Sequence, residues 1–579
     1  MRLVTLAMIG LTSSAALAAG DPPFRIDFTP VGFYDKIPAT DVAYARAFDE
    51  LCLTTQFYFD FAKVNPDGTI NYVQRVNTNF LESLESVAIS SDVIIGKAFE
   101  HVVALSFVGK NGPQGPGEMW LMGNVSYNIY HVYPTGPLPV MIGFSPNGRY
   151  IVSANAGEPN DDFTDDPVGG VTIVDRAFGP VVETFDFESL DPAVVGEGII
   201  MSSPKGTSLA EALEPQCVAF SSDSTTGYVV CQENNALAKF DLASGTWEWV
   251  RSLGFKDHSL PGNELDASDL DGEINIANWP IYGAYMPDEI AVFNIDGVDY
   301  IATANEGAGR DYGGYSNVKR VNEVNLDPVA FPDAKWLQQD RNLGRINIDS
   351  SIGDVDGDGD YDVLYSFGAR SMSIFDTEGV LVADTGAIME QVTADLFPND
   401  FNSTNDQNDS FDNRSDDKGP EPEGLAIGKI GERTLVFVGL ERIGGVMAFD
   451  VSDPTAPAYA GYVNTRDFNG IPPLNAGDLD PAGLEFIPAE YSPNDSPMLA
   501  VAFGESQVTR LFQIDIAIAC LGDVNLSGGV DAADIGLLLA SWGACGSEEC
   551  PADVNGSGQV DAADIGLLLA NWGVCSGEG

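Results

Sequence analysis

The chain has 579 residues and carries 28 lysines and arginines against 86 aspartates and glutamates, a formal charge of −58. That balance excludes a basic nucleic-acid footprint and disfavours an anionic membrane surface, while 62 glycines and 34 prolines argue for many turns rather than long helices. So large an acidic excess fits a secreted chain that relies on cations, calcium above all.

Arg2, the apolar run 3–11 and the small-residue step Ala16-Leu17-Ala18 read as a signal peptide over residues 1–19. No later run reaches the roughly 18–20 apolar residues of a membrane span. The expectation is a chain without a transmembrane segment, secreted or held at the cell surface.

From residue 20 to 516, short apolar runs alternate with turn clusters, as in RYIVSANAG (149–157), DYIATANEG (299–307) and MLAVAFGES (498–506). A second run repeatedly closes on an aspartate: IVD at 173–175, KFD at 239–241, IFD at 374–376 and AFD at 448–450. Such pairs at hairpin spacing predict an all-β domain, a β-propeller of about seven blades. A β-sandwich array is the structural alternative. Proline followed closely by an acidic or polar residue precedes an apolar strand at 214–220, 286–293, 421–428 and 480–487. In a propeller these would place Gln216, Asp288 and Glu423 around one mouth, or serve as entry turns chosen for the φ of proline; both can hold.

Cys217 and Cys231 flank a stretch centred on Ser224, which makes either a cross-strand disulfide or two buried thiols. Cys52 has no evident use.

In DVDGDGDYD, Asp354, Asp356, Asp358, Asp360 and Asp362 take positions 1, 3, 5, 7 and 9 of an EF-hand-like loop, with Gly359 at 6 and Tyr365 at 12. Carboxylates so close repel one another without a cation, which predicts a structural Ca²⁺ site. Further polar stretches lie at 155–162, 232–235, 305–311, 416–423 and 441–442. They supply Glu158, Glu233, Glu306, Arg310, Asp311, Asp417, Lys418, Glu423, Glu441 and Arg442, which join Asp288 as candidate oxyanion or channel residues. Arginine and lysine beside bound calcium can hold a phosphate or carbonate oxyanion; the same residues can equally form salt bridges that stiffen long loops. The chain has three histidines and shows no HExxH, P-loop or G-x-S-x-G signature.

Residues 523–545 and 553–575 repeat with 19 of 23 positions identical at a period of 30. Each copy opens with calcium-loop spacing: Asp523, Asn525, Ser527, Gly529, Asp531 and Asp534 in the first, Asp553, Asn555, Ser557, Gln559, Asp561 and Asp564 in the second. The apolar segments IGLLLASWG and IGLLLANWG then predict two short helices that must pack on each other. Cys520 with Cys545 and Cys550 with Cys575 would clip each repeat at equal separation, and two other pairings remain open.

Two resemblances follow from these motifs. LGFKDHSLPGNELDASDLDGEINIANWPIYGAYMPDEIAVFNIDGVDYIATANEGAGRDY (253–312), NAGEPNDDFTDDPVGGVTIVD (155–175), GDVDGDGDYDVLYSFGARSMSIFD (353–376) and the segment 413–454 resemble the choice-of-anchor I family of secreted β-propellers, itself similar to the sea-urchin mesenchyme-specific surface glycoproteins. The likeness runs over roughly 140–516, with 20–139 weakly matched. It implies a propeller that carries varied C-terminal anchoring modules, and the alkaline phosphatase-like or phytase-like label of bacterial members implies calcium-dependent phosphoric-ester hydrolysis. Asp480-Pro481-Ala482-Gly483 lacks the acidic third residue of the other entries, so one channel carboxylate is expected to be missing. Residues 517–579 resemble a type I dockerin, which implies a cohesin-like or cell-surface partner. Ala532-Ala533 and Ala562-Ala563 stand where dockerins commonly offer hydroxyls, which argues against a standard cohesin contact.

Three readings remain. A calcium-binding propeller used for binding or scaffolding would disperse Arg310, Lys418 and Arg442 into separate salt bridges. A calcium-dependent phosphohydrolase would bring them together with metal-binding carboxylates. A component of polysaccharide catabolism would expose Trp279, Tyr282 and Tyr285 on one rim, beside a carboxylate pair able to act on glycosyl bonds.

Overall fold

In the computed structural model, the described residues are 24–574, apart from 38, 56, 78–82, 96–98, 178–180, 519–521, 525–528, 546–551 and 556. The expected signal peptide lies outside them.

The short apolar runs become seven four-stranded antiparallel sheets. The first spans Asp41–Ala45 to Ile70–Asn77, the second Leu84–Ile95 to Ile129–Pro137 and the third Pro139–Phe144 to Val181–Asp186. The fourth spans Pro215–Phe220 to Trp247–Ser252, the fifth Glu289–Ile295 to Leu381–Asp384 and the sixth Pro422–Ile430 to Ala458–Val463. The seventh takes three strands from Pro481–Ile487 to Val508–Ile518 and its fourth from Phe24–Tyr34, at the other end of this domain. Residues 41–137, weak in resemblance, therefore build two regular sheets.

The first strand of each sheet packs on the first strand of the next, and the seventh packs on the first. This is a β-propeller arrangement, in which each sheet is covered on both faces. Inner strands are accordingly buried throughout, as in Tyr150–Asn155 and Met498–Phe503, while the outermost strand Val181–Asp186 is largely exposed. That is why the second strands read as continuous apolar runs rather than as alternating ones.

The recurring aspartates end the third strands. Asp175, Asp241, Asp376 and Asp450 each accept a hydrogen bond from a backbone N–H two residues on, at 2.9–3.1 Å, and so fix the turn into the fourth strand.

The first strands face the centre with an unpaired edge. Side chains of the preceding sheet answer part of it at three junctions: Val87 N donates to Asp41 Oδ2 at 3.0 Å, Ile290 N to Cys217 Sγ at 3.4 Å and Leu425 N to Glu289 Oε2 at 2.5 Å. The approach is close enough that a Cβ on Gly424 would lie 2.2 Å from the Ala482 carbonyl oxygen. Before the entry prolines, Leu138, Met286, Glu421 and Asp480 all adopt positive φ, between 42° and 65°. Register shifts follow the proline at Pro139, Pro215, Pro422 and Pro481. These are bulges that re-aim one side chain per entry.

The bulge corrects one expectation. Cys217 pairs in register with Val230, while Cys231 pairs with Pro215. A one-residue shift sends the two thiols to opposite faces, and they sit in different core clusters. Both are buried free thiols, as is Cys52. The pairing of Cys545 with Cys520, Cys550 or Cys575 involves residues outside those described.

Two excursions leave the sheets, residues 253–288 ahead of the fifth sheet and 305–371 between its second and third strands. They share a five-stranded sheet, ordered Phe255–Asp257, Tyr282–Ala284, Tyr365–Phe367, Asn347–Asp349 and Val318–Arg320. Leu265, Trp279, Ile281, Leu343 and Ile348 build its separate core.

At the C-terminus, helices Ala532–Ala540 and Ala562–Ala570 pack on each other around Val530, Leu538, Val560 and Leu568. Each starts with an aspartate cap, Asp531 or Asp561, completed by buried Asp534 or Asp564. The repeats are also cross-paired: Gly529–Val530 joins Gly573–Val574, and Gly543–Ala544 joins Gln559–Val560.

Because Cys217 is a lone thiol, Cys217→Ser is expected to lower by one the thiols that Ellman's reagent counts in the unreduced, guanidinium-unfolded chain. A rise by one would mean that Cys217 and Cys231 are bridged after all.

Candidate functional site

In an antiparallel sheet, the start of the first strand and the end of the second lie at the same end. Both places are acidic here. The entries contribute Glu214, Asp288, Glu421, Glu423 and Asp480, and the turns after second strands contribute Glu158, Glu233, Glu306, Glu441 and Glu505. With the first strands side by side, these carboxylates gather around one mouth.

The densest part lies between the fifth, sixth and seventh sheets. Carboxylate oxygens of Glu306, Glu421 and Glu441 come within 4.8 Å of one another, as do those of Glu423, Glu441 and Asp480. Glu421 is fully buried and forms ion pairs with Lys418 at 2.6 Å, Arg442 at 3.1 Å and Arg414. Burial alone would raise its carboxyl, but Lys418, Arg414 and Arg442 overcome that and hold it well below the usual carboxylate range. Lys418 also pairs with Glu306, which accepts from Gln232 Nε2 at 2.8 Å, and Arg442 pairs with Glu441 at 3.1 Å.

The remaining carboxylates are compensated less fully. Burial and then Glu421 push Glu441 up to about 9. Burial, Glu441 and Asp480 raise Glu423 strongly, and its Oε2 is buried without a hydrogen-bond partner. Burial raises Asp480 to about 6, and burial with Glu306 raises Asp288 to about 8.

Arg310 stands apart from Lys418 and Arg442. Its guanidinium pairs with buried Glu214 at 2.9 Å and donates to Ser203 Oγ at 2.6 Å and the Ala212 carbonyl at 2.8 Å. Glu158 and Glu233 border this pair, and burial followed by Glu233 lifts Glu158 to about 7. The three bases thus divide: Lys418 and Arg442 converge, and Arg310 does not join them. Asp311 is exposed on a small hairpin, and Asp417 accepts from Asn347 Nδ2 at 3.0 Å and pairs with Arg414. Neither is among the tight carboxylate groups of the mouth. Glu214, two residues before Gln216, is buried against Arg310, and Asp480 supplies a carboxylate at the entry where Ala482 lacks one.

The aspartate-rich loop divides into two oxygen groups that share Asp362: Asp354, Asp356 and Asp362, and Asp327, Asp360 and Asp362. Backbone N–H groups of Gly357 and Gly359 turn inward to Asp354 at 2.8 and 3.1 Å. Asp358 is exposed and belongs to neither group. Asp327 reaches the site from a distant segment, brought in by the bridge between Leu326 and Tyr361; no spacing rule points to it.

In the second C-terminal loop, Asp553 accepts from Ser557 N at 2.9 Å and from Gly558 N at 2.5 Å, and Asp564 accepts from Asn555 N at 3.0 Å. Asp561 caps the helix and Gln559 is exposed. In the first loop Asp523 and Asp534 are buried and Asp531 caps the helix, while Asn525 and Ser527 lie outside the described residues.

The expected aromatic rim does not form. Trp279 and Tyr285 are buried, in the excursion core and beneath the fifth sheet, and Tyr282 alone is partly exposed.

Asp266 and Asp412, buried away from the mouth, have no ion-pair partner among the described residues. Asp266 is raised to about 7 by burial, and Asp412 to about 8 by burial and then Asp266.

Comparison with known proteins adds four likenesses. The family model described as the choice-of-anchor I domain matches residues 43–454, well over half of the chain. Gigasin-3a of Magallana gigas is 30% identical over 190 residues, which are 31% of this chain and 66% of that protein. The mesenchyme-specific cell surface glycoprotein of Strongylocentrotus purpuratus is 27% identical over 290 residues, 44% of this chain and 36% of that one. The matches thus span just under two thirds of one curated relative and about a third of the other. Among solved structures, the β-propeller domain of Cps50 (Swd1) from Myceliophteria thermophila covers 84% of this chain and 99% of its own at 7% identity, with a TM-score of 0.41.

Asp266 and Asp412 set a pH dependence. Unfolded carboxyls lose their protons near pH 4, whereas these keep theirs to about 7 and 8 in the fold. The stability they contribute is complete below about pH 4 and is lost as pH rises through 7 to 8. In EDTA, the melting temperature is expected to fall from pH 6 to pH 9, and to fall less in Asp412→Asn. A flat profile in the unaltered chain would refute this.

Proposed function

The chain belongs to the choice-of-anchor I domain family, and from that premise we propose that it is a secreted, calcium-charged seven-bladed propeller that serves as a binding or scaffold module. A dockerin-like tail attaches it to a partner or surface. The observation that carries this reading is the composition of the mouth cluster. Five carboxylates, Glu306, Glu421, Glu423, Glu441 and Asp480, meet three bases, Arg414, Lys418 and Arg442, and all three bases pair with Glu421. Glu423, Glu441 and Asp480 are left with a surplus of negative charge in a buried setting. Clustered carboxylate oxygens suit a hard divalent cation, and a bound Ca²⁺ would offset that repulsion directly.

The aspartate-rich loop supports the same chemistry, with Asp354, Asp356 and Asp362 as the ligand core and Asp327 as an added arm. So do the C-terminal repeats, through Asp553, Asn555, Ser557, Gln559, Asp561 and Asp564 and their first-copy counterparts. Alanines at 532–533 and 562–563, on the first turn of each helix, favour a partner other than a standard cohesin. An extracellular setting accords with the family and with a relative that is a cell surface glycoprotein, and no helix among the described residues is long and apolar enough to cross a membrane.

One observation favours the phosphohydrolase reading: Lys418 and Arg442 stand beside metal-capable carboxylates. Their guanidinium and ammonium groups are engaged with Glu421, Glu306 and Glu441, however, and an oxyanion would have to displace those partners. The polysaccharide reading loses its aromatic rim.

The decisive experiment pairs calcium calorimetry with phosphate release from an aryl phosphate and phytate. Calcium is expected to bind at several sites and to raise the melting temperature by several degrees over EDTA. Glu441→Gln is expected to remove the mouth site and spare those of the tail, and Asp564→Ala the reverse. No turnover is expected. Calcium-dependent turnover lost in Lys418→Ala would overturn the binding reading in favour of hydrolysis, and an unchanged melting temperature in EDTA would overturn both.

A further inference from the structure

On the opposite side of the mouth from the Glu421 cluster, a cavity of about 570 Å³ opens between the loop after the third sheet's second strand and the loop 108–115. Pro113, Pro159 and the ring of Tyr312 line it together with Glu158, Asp161 and Asp162, and no lysine or arginine is among its lining residues. The base closest in charge to Glu158, Arg310, is already committed to Glu214, Ser203 and the Ala212 carbonyl. Asp161 and Asp162 therefore leave the pocket net negative, with Tyr312 and two prolines among its walls.

Its loop is held in place before any ligand arrives. Asn160 Oδ1 accepts from Thr164 N at 2.9 Å and Asp165 N at 3.1 Å, and Gly314 N donates to the Asp161 carbonyl at 2.7 Å. Phe163 packs edge-on against Tyr312 and Tyr315, with ring centroids 5.3 and 5.8 Å away. Gln114 Nε2 donates to the Glu158 carbonyl at 3.3 Å and ties the two walls together.

We propose that this pocket binds an organic cation, the guanidinium or primary ammonium group of a peptide side chain or of a free polyamine. Four features select that class over a bare metal ion. The tight oxygen groups a bare cation needs lie elsewhere among the described residues and include none of Glu158, Asp161 and Asp162. Asp162 Oδ1 already accepts from Thr164 Oγ1 at 2.6 Å, which leaves Glu158 and Asp161 as separated acceptors suited to a branched donor. The Tyr312 ring adds a cation–π surface, and the cavity is far larger than a single ion requires. A neutral saccharide would leave the charge surplus unanswered.

The proposal goes beyond the calcium reading and is tested with calcium held at saturation, so that its failure does not bear on the mouth site. Binding to the full chain is measured by calorimetry for an acetylated, amidated tetrapeptide with one arginine, for the same peptide with citrulline, and for spermidine. Saturable binding of the arginine peptide is expected, with the citrulline peptide at least tenfold weaker. Glu158→Gln and Asp161→Asn are each expected to weaken binding about tenfold, and Asp161→Asn to leave the melting temperature unchanged. Spermidine binding as tightly as the peptide would identify a free polyamine as the source, and a preference for the peptide a protein-borne one. Equal affinity for arginine and citrulline, no binding of either cation, or wild-type affinity in Asp161→Asn and Tyr312→Leu together would overturn it.

Discussion

The first strand of every sheet has an edge with no strand beside it, and the molecule is organised around answering that edge. An unpaired buried N–H costs about 1–3 kcal/mol, and such a row of them would also invite a stray strand. Here the neighbour answers with side chains: Asp41 to Val87, Cys217 to Ile290 and Glu289 to Leu425. Those contacts require the first strands to stand nearly in touch, which is why glycine sits at position 424. They also require the order of packing to return to its start, which the pairing of Phe24–Tyr34 with Val508–Ile518 achieves by drawing the ends of the domain into one sheet. The mouth is a by-product of this geometry. Once the first strands are adjacent, whatever precedes them and whatever follows the second strands must share a small space.

That space is charged far beyond what its bases can balance. Glu421 shows how a carboxylate can be buried at low cost, with three cations around it. Glu423 and Glu441 show the opposite, in that each is better protonated or bound to a cation than bare. A chain with 28 bases cannot neutralise 86 acids from its own resources. Local pairing goes to the deepest carboxylate, and the remainder depends on what the surrounding medium supplies.

Much of this was legible in the sequence. The aspartates at 175, 241, 376 and 450 are visible because a turn needs a side-chain acceptor at one fixed place, and the entry prolines because they recur at the start of strands. Glu158, Glu233, Glu306 and Glu441 were legible as acids next to apolar runs. What stayed hidden depends on register and on distance. Cys217 and Cys231 look paired until a bulge moves one of them to the other face. Asp480 compensates for Ala482 from two residues away, at a backbone position of positive φ. Asp327 joins Asp360 and Asp362 through a single bridge between separate segments. Arg310 resembles Lys418 and Arg442 as a rare base in a polar loop, yet Glu214 claims it, and no local pattern announces which acid will be nearer.

The excursion at residues 305–371 separates the second and third strands of the fifth sheet, which pair as Tyr300 with Asp376 through Ala304 with Met372. In most sheets here that connection is a short turn, formed quickly because little chain entropy is lost. In the fifth it must wait for a segment that contains the whole aspartate-rich loop. Contacts between residues so far apart raise the contact order of that sheet above its neighbours', and such topologies fold slowly. Closing that sheet therefore entails condensing a cluster of like charges, which dissolved ions screen.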